Sequence, residues 1–187
     1  MKSKIPRVTL VIWGIIVAIV IIMATVCIVL IMQGKWGIDS NDPSNYIAIK
    51  EESIQQDISA INVNWVSGDV QVKKNSNDQI RIVQKGSDDY PQEQLFAVKI
   101  DGDTLYIEDT RGYGINMFGF QKQANTDLIL YLPEKEYQQL NGNFVSANVT
   151  VDTCNTNHLY LKTISGTILV EKGKCGLVEL NTTSGDI

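Results

Sequence analysis

Two hydrophobic patterns divide the chain. Val8 to Met32 carries no charge, and 22 of its 25 residues are apolar, interrupted only by Thr9, Gly14 and Thr25. As a helix such a run reaches about 38 Å, more than the roughly 30 Å of hydrocarbon in a bilayer, so residues 8–33 are predicted to cross a membrane once with some tilt. A buried soluble helix would show a polar face, and this run has none. It is also longer than the apolar region of a cleaved signal and leads into no small-x-small site. Lys2, Lys4 and Arg7 precede it, whereas Lys35 is followed by Asp39, Asp42, Glu51 and Glu52. That bias places a cytoplasmic tail at 1–7 and everything after Gly34 outside the cell. Cys27 follows β-branched Val26, which favours a packing cysteine over a lipid attachment site.

Residues 34–59 read as a tether: Asp39-Ser40-Asn41-Asp42-Pro43-Ser44-Asn45 is a run of turn formers without an apolar period, with a first short strand open at Tyr46 to Lys50. From Ala60 onward apolar residues alternate with period two, the signature of half-buried strands. The alternation predicts strands at 61–65, 70–72, 80–83, 95–100, 105–107, 128–132, 149–151, 159–161, 168–170 and 178–180. Asp101-Gly102 marks a tight hairpin. Pro133 ends a strand, because proline cannot donate to a central ladder. The fold class is therefore all-β, preceded by one transmembrane helix.

The C-terminal third repeats. Ser146, Ser165 and Ser184 are 19 residues apart, and each is followed by a small residue, Ala147, Gly166 or Gly185. Val149 and Val151 then match Ile168 and Val170, and Ile187 begins the next copy. Leu159 and Leu161 before one corner match Val178 and Leu180 before the next, and an isolated fourth copy surrounds Ser67 and Gly68. Two short strands joined by a corner cannot bury both faces alone, but stacking them at a fixed period builds a continuous core, as in a β-solenoid. The residue after each serine shares the parity of the inward valines, so small size is expected there to spare the core. The last copy stops at Ile187, which predicts either a truncated product or an end covered by something else.

Charge narrows the function. Three of the 16 basic residues precede the apolar run, leaving 13 against 21 acidic residues beyond it. Such a surface excludes a nucleic-acid binder that relies on a basic field. Beyond the apolar run the cysteines are Cys154 and Cys175, 21 apart in a 19-residue period and expected in turns of adjacent coils; a disulfide and two free thiols both stay open. His158 is expected in a solvated turn, Asn155 to His158. With the two cysteines it makes a poor zinc set, because no pair has the local ligand spacing. The column Asp69, Asn148, Thr167 and Asp186 has too few carboxylates for a cation ladder and reads as solvated or locally capping. No carboxylate pair or nucleophile with its base stands out, so no catalytic, cofactor or metal residue is assigned. The segment from Arg111 to Phe120 is apolar and glycine-rich; Tyr113, Phe118 and Phe120 either contact a partner or fold over the open core end.

The stretches Ile61–Val72 (INVNWVSGDVQV) and Leu128–Pro133 (LILYLP), with the repeated corners Val145-Ser146-Ala147, Ile164 to Ile168 and Thr183 to Ile187, resemble the bacterial putative-adhesin family with S-G-D-[IV] corners. That family includes the LiaG-like membrane proteins of cell-envelope stress operons. The resemblance covers about residues 55–187 and implies an extracytoplasmic, right-handed β-solenoid-like domain over 60–187, without known catalytic residues, in a Gram-positive type of bacterium. Thr167 and Asn148 depart from the family's aspartate and Ala147 from its glycine. The expected function is a membrane-anchored, non-enzymatic surface protein, touching lipid through residues 8–33. The alternative is an accessory regulatory or sensory subunit of an envelope-stress system, packed against another envelope membrane protein.

Overall fold

The computed structural model describes Thr25, residues 45–111 and residues 125–187. The predicted membrane span, apart from Thr25, and Tyr113, Phe118 and Phe120 lie outside these residues. Among the described residues no helix is long and apolar enough to cross a membrane.

Among the described residues ten strands form one hydrogen-bonded network: β1 (Ile47–Ile54), β2 (Ala60–Asn75), β3 (Ile80–Gly86), β4 (Ala97–Asp101), β5 (Thr104–Glu108), β6 (Asp127–Pro133), β7 (Tyr137–Val151), β8 (Cys154–Ser165), β9 (Ile168–Val170) and β10 (Gly173–Ser184). Its main path runs β1-β3-β6-β2-β7-β8-β10 and does not close on itself. β4 and β5 form the expected hairpin, with Asp101 opposite Thr104 and Gly102 at φ +62°.

The parallel strands stack in strict register. Ser67 pairs with Ser146, Ser146 with Ser165, and Ser165 with Ser184, so the four corner serines stand in one column. Ile61, Leu140, Leu159 and Val178 line up likewise before the corner. After it, Val70, Val149 and Ile168 do the same. β2 is the hub. Its first part pairs with β5, its last part with β6, and Ala60 to Val72 with β7. Nine residues separate Ile61 from Val70, but 23 separate their partners Leu105 and Leu128, so this coil carries a 14-residue insertion at the corner.

The core lies inside the bend. Ile61, Leu105, Ile107, Leu128, Leu130 and Leu159 are completely buried, and Trp65 and Phe144 are enclosed with them. At about 25 cal/mol per Å² of apolar surface, burying each such side chain contributes roughly 1.5–3 kcal/mol. The end of the stack is different: Val178 is 48% exposed where its neighbour Leu159 is 0% exposed, because β10 has a strand on one side only.

Three expectations are corrected. Residues 47–59 are not tether: β1 pairs antiparallel with β3, and Ile54 and Ile58 are buried in the core. β7 starts at Tyr137 and runs unbroken to Val151, because Gly142 takes an inward place between Val63 and Leu161. A β-carbon on Gly142 would stand 2.4 Å from the Phe144 ring, so the glycine's missing side chain is the space the phenyl fills. His158, Cys154 and Cys175 are not in turns; all three belong to strands, the first two to β8 and the third to β10.

Candidate interaction surface

The corner column is set by backbone demands. Gly68, Gly166 and Gly185 have φ of +104°, +138° and +151°, where side chains are disfavoured. An added β-carbon would also meet a neighbouring carbonyl oxygen: that of Thr126 at 2.1 Å, Ala147 at 2.2 Å and Gly166 at 2.1 Å respectively. The obstacle is thus the backbone of the adjacent coil, not the core as the parity of the sequence suggests. Ala147 is accommodated because its φ is not positive.

Those carbonyls need donors, since a corner interrupts the ladder. Inward side chains two residues before the serine supply them. Trp65 Nε1 donates to Thr126 O at 3.1 Å, Thr163 Oγ1 to Ala147 O at 3.4 Å, and Thr182 Oγ1 to Gly166 O at 3.3 Å. The first corner has a further buttress. Arg111 and Asp109 form a salt bridge with side chains only 3% and 2% exposed. Arg111 also donates to Ser67 Oγ at 3.0 Å and Ser67 O at 2.9 Å, while Asp109 Oδ2 accepts from the Val66 amide at 3.0 Å. Arg111, the last described residue before the insertion, is therefore held in a fixed place.

On the other side of the corner a polar column runs along the stack. Asp127 Oδ1 accepts the Asp69 amide at 3.0 Å, Asn148 Nδ2 donates to Asp69 Oδ1 at 3.1 Å, and Asn148 Oδ1 accepts the Thr167 amide at 3.1 Å. Asn148 and Thr167 thus belong to a capping ladder. Burial raises the Asp127 carboxyl above its ordinary pKa, with the Asp69 carboxylate adding to the rise and the Asp69 amide opposing it. Among the described residues no group of three His, Cys, Asp or Glu comes together to hold a metal.

Outside the bend, the outward side chains of six strands fall into rows. Lys99, Tyr106, Asn62, Asn141, Tyr160 and Glu179 occupy one row across β4, β5, β2, β7, β8 and β10. Asn141 Nδ2 donates to Asn62 Oδ1 at 2.9 Å, and Lys99 lies 5.9 Å from the Tyr106 ring centre. Three strand spacings of roughly 4.8 Å put about 14 Å between the two tyrosine positions. The next row holds Glu108, Asn64, Asn143, Lys162 and Asn181, with Asn64 Nδ2 donating to Glu108 Oε1 at 2.8 Å. Beside it, Val66, Val145 and the 51% exposed Ile164 line a cleft of about 400 Å³ together with Asn64, Asn143 and Lys162. Sequence reading missed this face, yet Asn62 and Asn141, like Asn64 and Asn143, carry the same 79-residue interval as Ser67 and Ser146.

Of the residues singled out by sequence, His158 faces outward with Nε2 3.0 Å from Glu179 Oε1. Cys154 and Cys175 are free thiols whose sulfurs approach to 3.4 Å.

Among the described residues from 45 onward, these features define an all-β domain of stacked, bent parallel strands, its glycine corners facing the backbone of the adjoining coil. The chain belongs to the Toastrack DUF4097 family, whose model matches residues 58–187. The match begins at Ile58, which is fully buried in the core. Among solved structures, a putative cell adhesion protein from Clostridium sporogenes ATCC 15579 aligns at 10% identity and TM-score 0.32, over 74% of this chain and 99% of that one. A putative adhesin from Bacteroides fragilis NCTC 9343 aligns at 11% identity and TM-score 0.25, over 75% and 97%. A putative lipid binding protein from Parabacteroides distasonis ATCC 8503 aligns at 13% identity and TM-score 0.25, over 72% and 67%. No curated protein matches the chain.

Proposed function

We propose that this protein is a non-enzymatic interaction protein of the bacterial envelope, anchored by residues 8–33 and presenting its stack outside the cell, in the manner of the LiaG-like members of its family. The observation that carries the reading is the row Tyr106–Asn62–Asn141–Tyr160 beside the Val66–Val145–Ile164 cleft. Rings and amides at strand spacing on a hydrogen-bonded sheet lose little freedom when a partner docks, and tyrosines are frequent anchors of such contacts. The excess of acidic residues speaks for a partner that is neutral or cationic rather than an anionic polymer.

The test is binding of the full chain, reconstituted in vesicles, to isolated envelope material from its own host. Tyr106→Ser with Tyr160→Ser should weaken binding at least tenfold without changing thermal stability by more than a few degrees. Undiminished binding would remove this face from the reading. Protease shaving of intact cells that leaves the strand region untouched would remove the external placement. Capture of a membrane kinase by the span alone would favour the regulatory subunit instead.

A further inference from the structure

Cys154 and Cys175 lie on neighbouring parallel strands, one pleat apart. The residue directly across from Cys154 is Gly173, and the residue across from Cys175 is Thr156. A β-carbon built on Gly173 would stand 3.1 Å from the Cys154 sulfur and 3.3 Å from the Cys175 sulfur. The two sulfurs therefore meet over the place that a side chain at 173 would fill, and the missing side chain is what allows thiols offset by two residues to reach 3.4 Å. Cys154 is buried in the core, while Cys175 is packed against it and partly open to solvent.

The strand they join is the outermost of the described parallel strands. β10 has β8 as its neighbour and leaves Leu177 53% and Val178 48% exposed. Neither of its ends is held by a second neighbouring strand, so it should open more readily than β2 or β7. A covalent link at its beginning would restrict that opening.

We propose that Cys154 and Cys175 form a reversible disulfide that fastens strand β10 to β8. The oxidant is a disulfide-exchange partner, of the thiol-disulfide oxidoreductase class or glutathione disulfide. The Cys175 thiolate attacks one sulfur of that disulfide, and the other sulfur departs as a thiolate that takes up a proton. The Cys154 sulfur then loses its proton to solvent and attacks Cys175 Sγ, releasing the second half of the exchange partner as a thiol. Two protein thiols are oxidised and one external disulfide is reduced to two thiols. This order follows from exposure and acidity: burial and the contact with Cys175 push the Cys154 thiol up to about 12, which makes it the resolving partner and not the first nucleophile. Closure shortens the sulfur separation from 3.4 Å to the roughly 2.05 Å of a disulfide, within reach of side-chain rotation.

The full chain carrying Cys27→Ser, equilibrated with glutathione buffers of stepped ratio, provides the test. Under oxidising ratios, free thiols should fall from two to none per chain. The mass should drop by the two hydrogens lost, and digestion should yield one peptide pair linked through Cys154 and Cys175. The melting temperature should rise by on the order of 5–10 °C over the reduced form. Proteolysis after Lys174 or within β10 should slow at least tenfold. Cys175→Ser, a conservative change at the less buried partner, should abolish both shifts while leaving the reduced protein's melting temperature nearly unchanged. Two thiols persisting at the most oxidising ratio, or a link that joins two chains instead of two strands, would overturn the proposal. So would an intrachain bond that leaves melting and proteolysis of β10 unmoved.

Discussion

Gly166 lies so close to Ala147 that a β-carbon on the glycine would stand 2.2 Å from the alanine's carbonyl oxygen. The same glycine has φ +138°. Gly166→Ala therefore meets two obstacles at once and should lower stability by about 2–4 kcal/mol, read by urea denaturation. Ala147→Gly, at the equivalent corner without positive φ, should cost only about 0.5–1 kcal/mol through the freedom gained by the unfolded chain. If the two substitutions prove equal, the corner is not limited by the neighbouring backbone.

Gly142 and Phe144 form a compensating pair in β7. Gly142→Ala places a methyl 2.4 Å from the Phe144 ring and should destabilise by about 1–3 kcal/mol. Phe144→Leu alone leaves a partial cavity and should also destabilise. Combined, they should cost less than the sum, with a coupling energy on the order of 1 kcal/mol in a double-mutant cycle.

The buried Arg111–Asp109 pair should behave asymmetrically. Arg111→Met strips a desolvated carboxylate of its partner and should cost about 3–5 kcal/mol. Replacing both residues, Asp109→Asn with Arg111→Met, should recover part of that loss, because an amide retains an acceptor for the Val66 amide without a buried charge.

Asp127 links stability to pH. Its carboxyl pKa is raised above the ordinary 3.8, so the folded state holds the proton more tightly than the unfolded chain. This contribution is fully present below 3.8 and is lost as pH rises through the folded value. Asp127→Asn keeps an oxygen for the Asp69 amide and removes the charge. The variant should match the wild type at low pH, gain on it toward neutrality, and flatten the slope of stability against pH measured by denaturant melts.

The sequence revealed what the backbone restricts to one residue type. The Ser-Gly corner recurs visibly because positive φ and the facing carbonyl admit little else. A second bend was not legible. Between Tyr137 and Leu140, and between Thr156 and Leu159, the buried residues change parity, and the aligned positions Ser59, Gln138, Asn157 and Gly176 share no chemistry. None of them has positive φ, and although a β-carbon at Gly176 would stand 2.7 Å from Asn157 O, Ser59, Gln138 and Asn157 carry side chains at the same bend, so no residue type repeats there to mark the pattern. β1 escaped for another reason. It is an edge strand, and of its eight residues only Ile54 is buried, which gives alternation nothing to show. The outward rows were hidden because a solvent face tolerates any polar residue; Asn62 and Asn141 became a pair only when the 79-residue interval was seen to set adjacent strands side by side.

That interval also governs assembly. Strands β7, β8 and β10 join at steps of 19 residues, but β2, the surface on which they build, lies 79 residues upstream of its place in β7. Closing the longer loop costs about 1.3 kcal/mol more than closing the shorter. The late coils thus have a cheap way of adding to one another and a dearer way of meeting their foundation. During synthesis the hub must wait, half-satisfied, for partners not yet made, while the later coils are free to zip onto one another in turn.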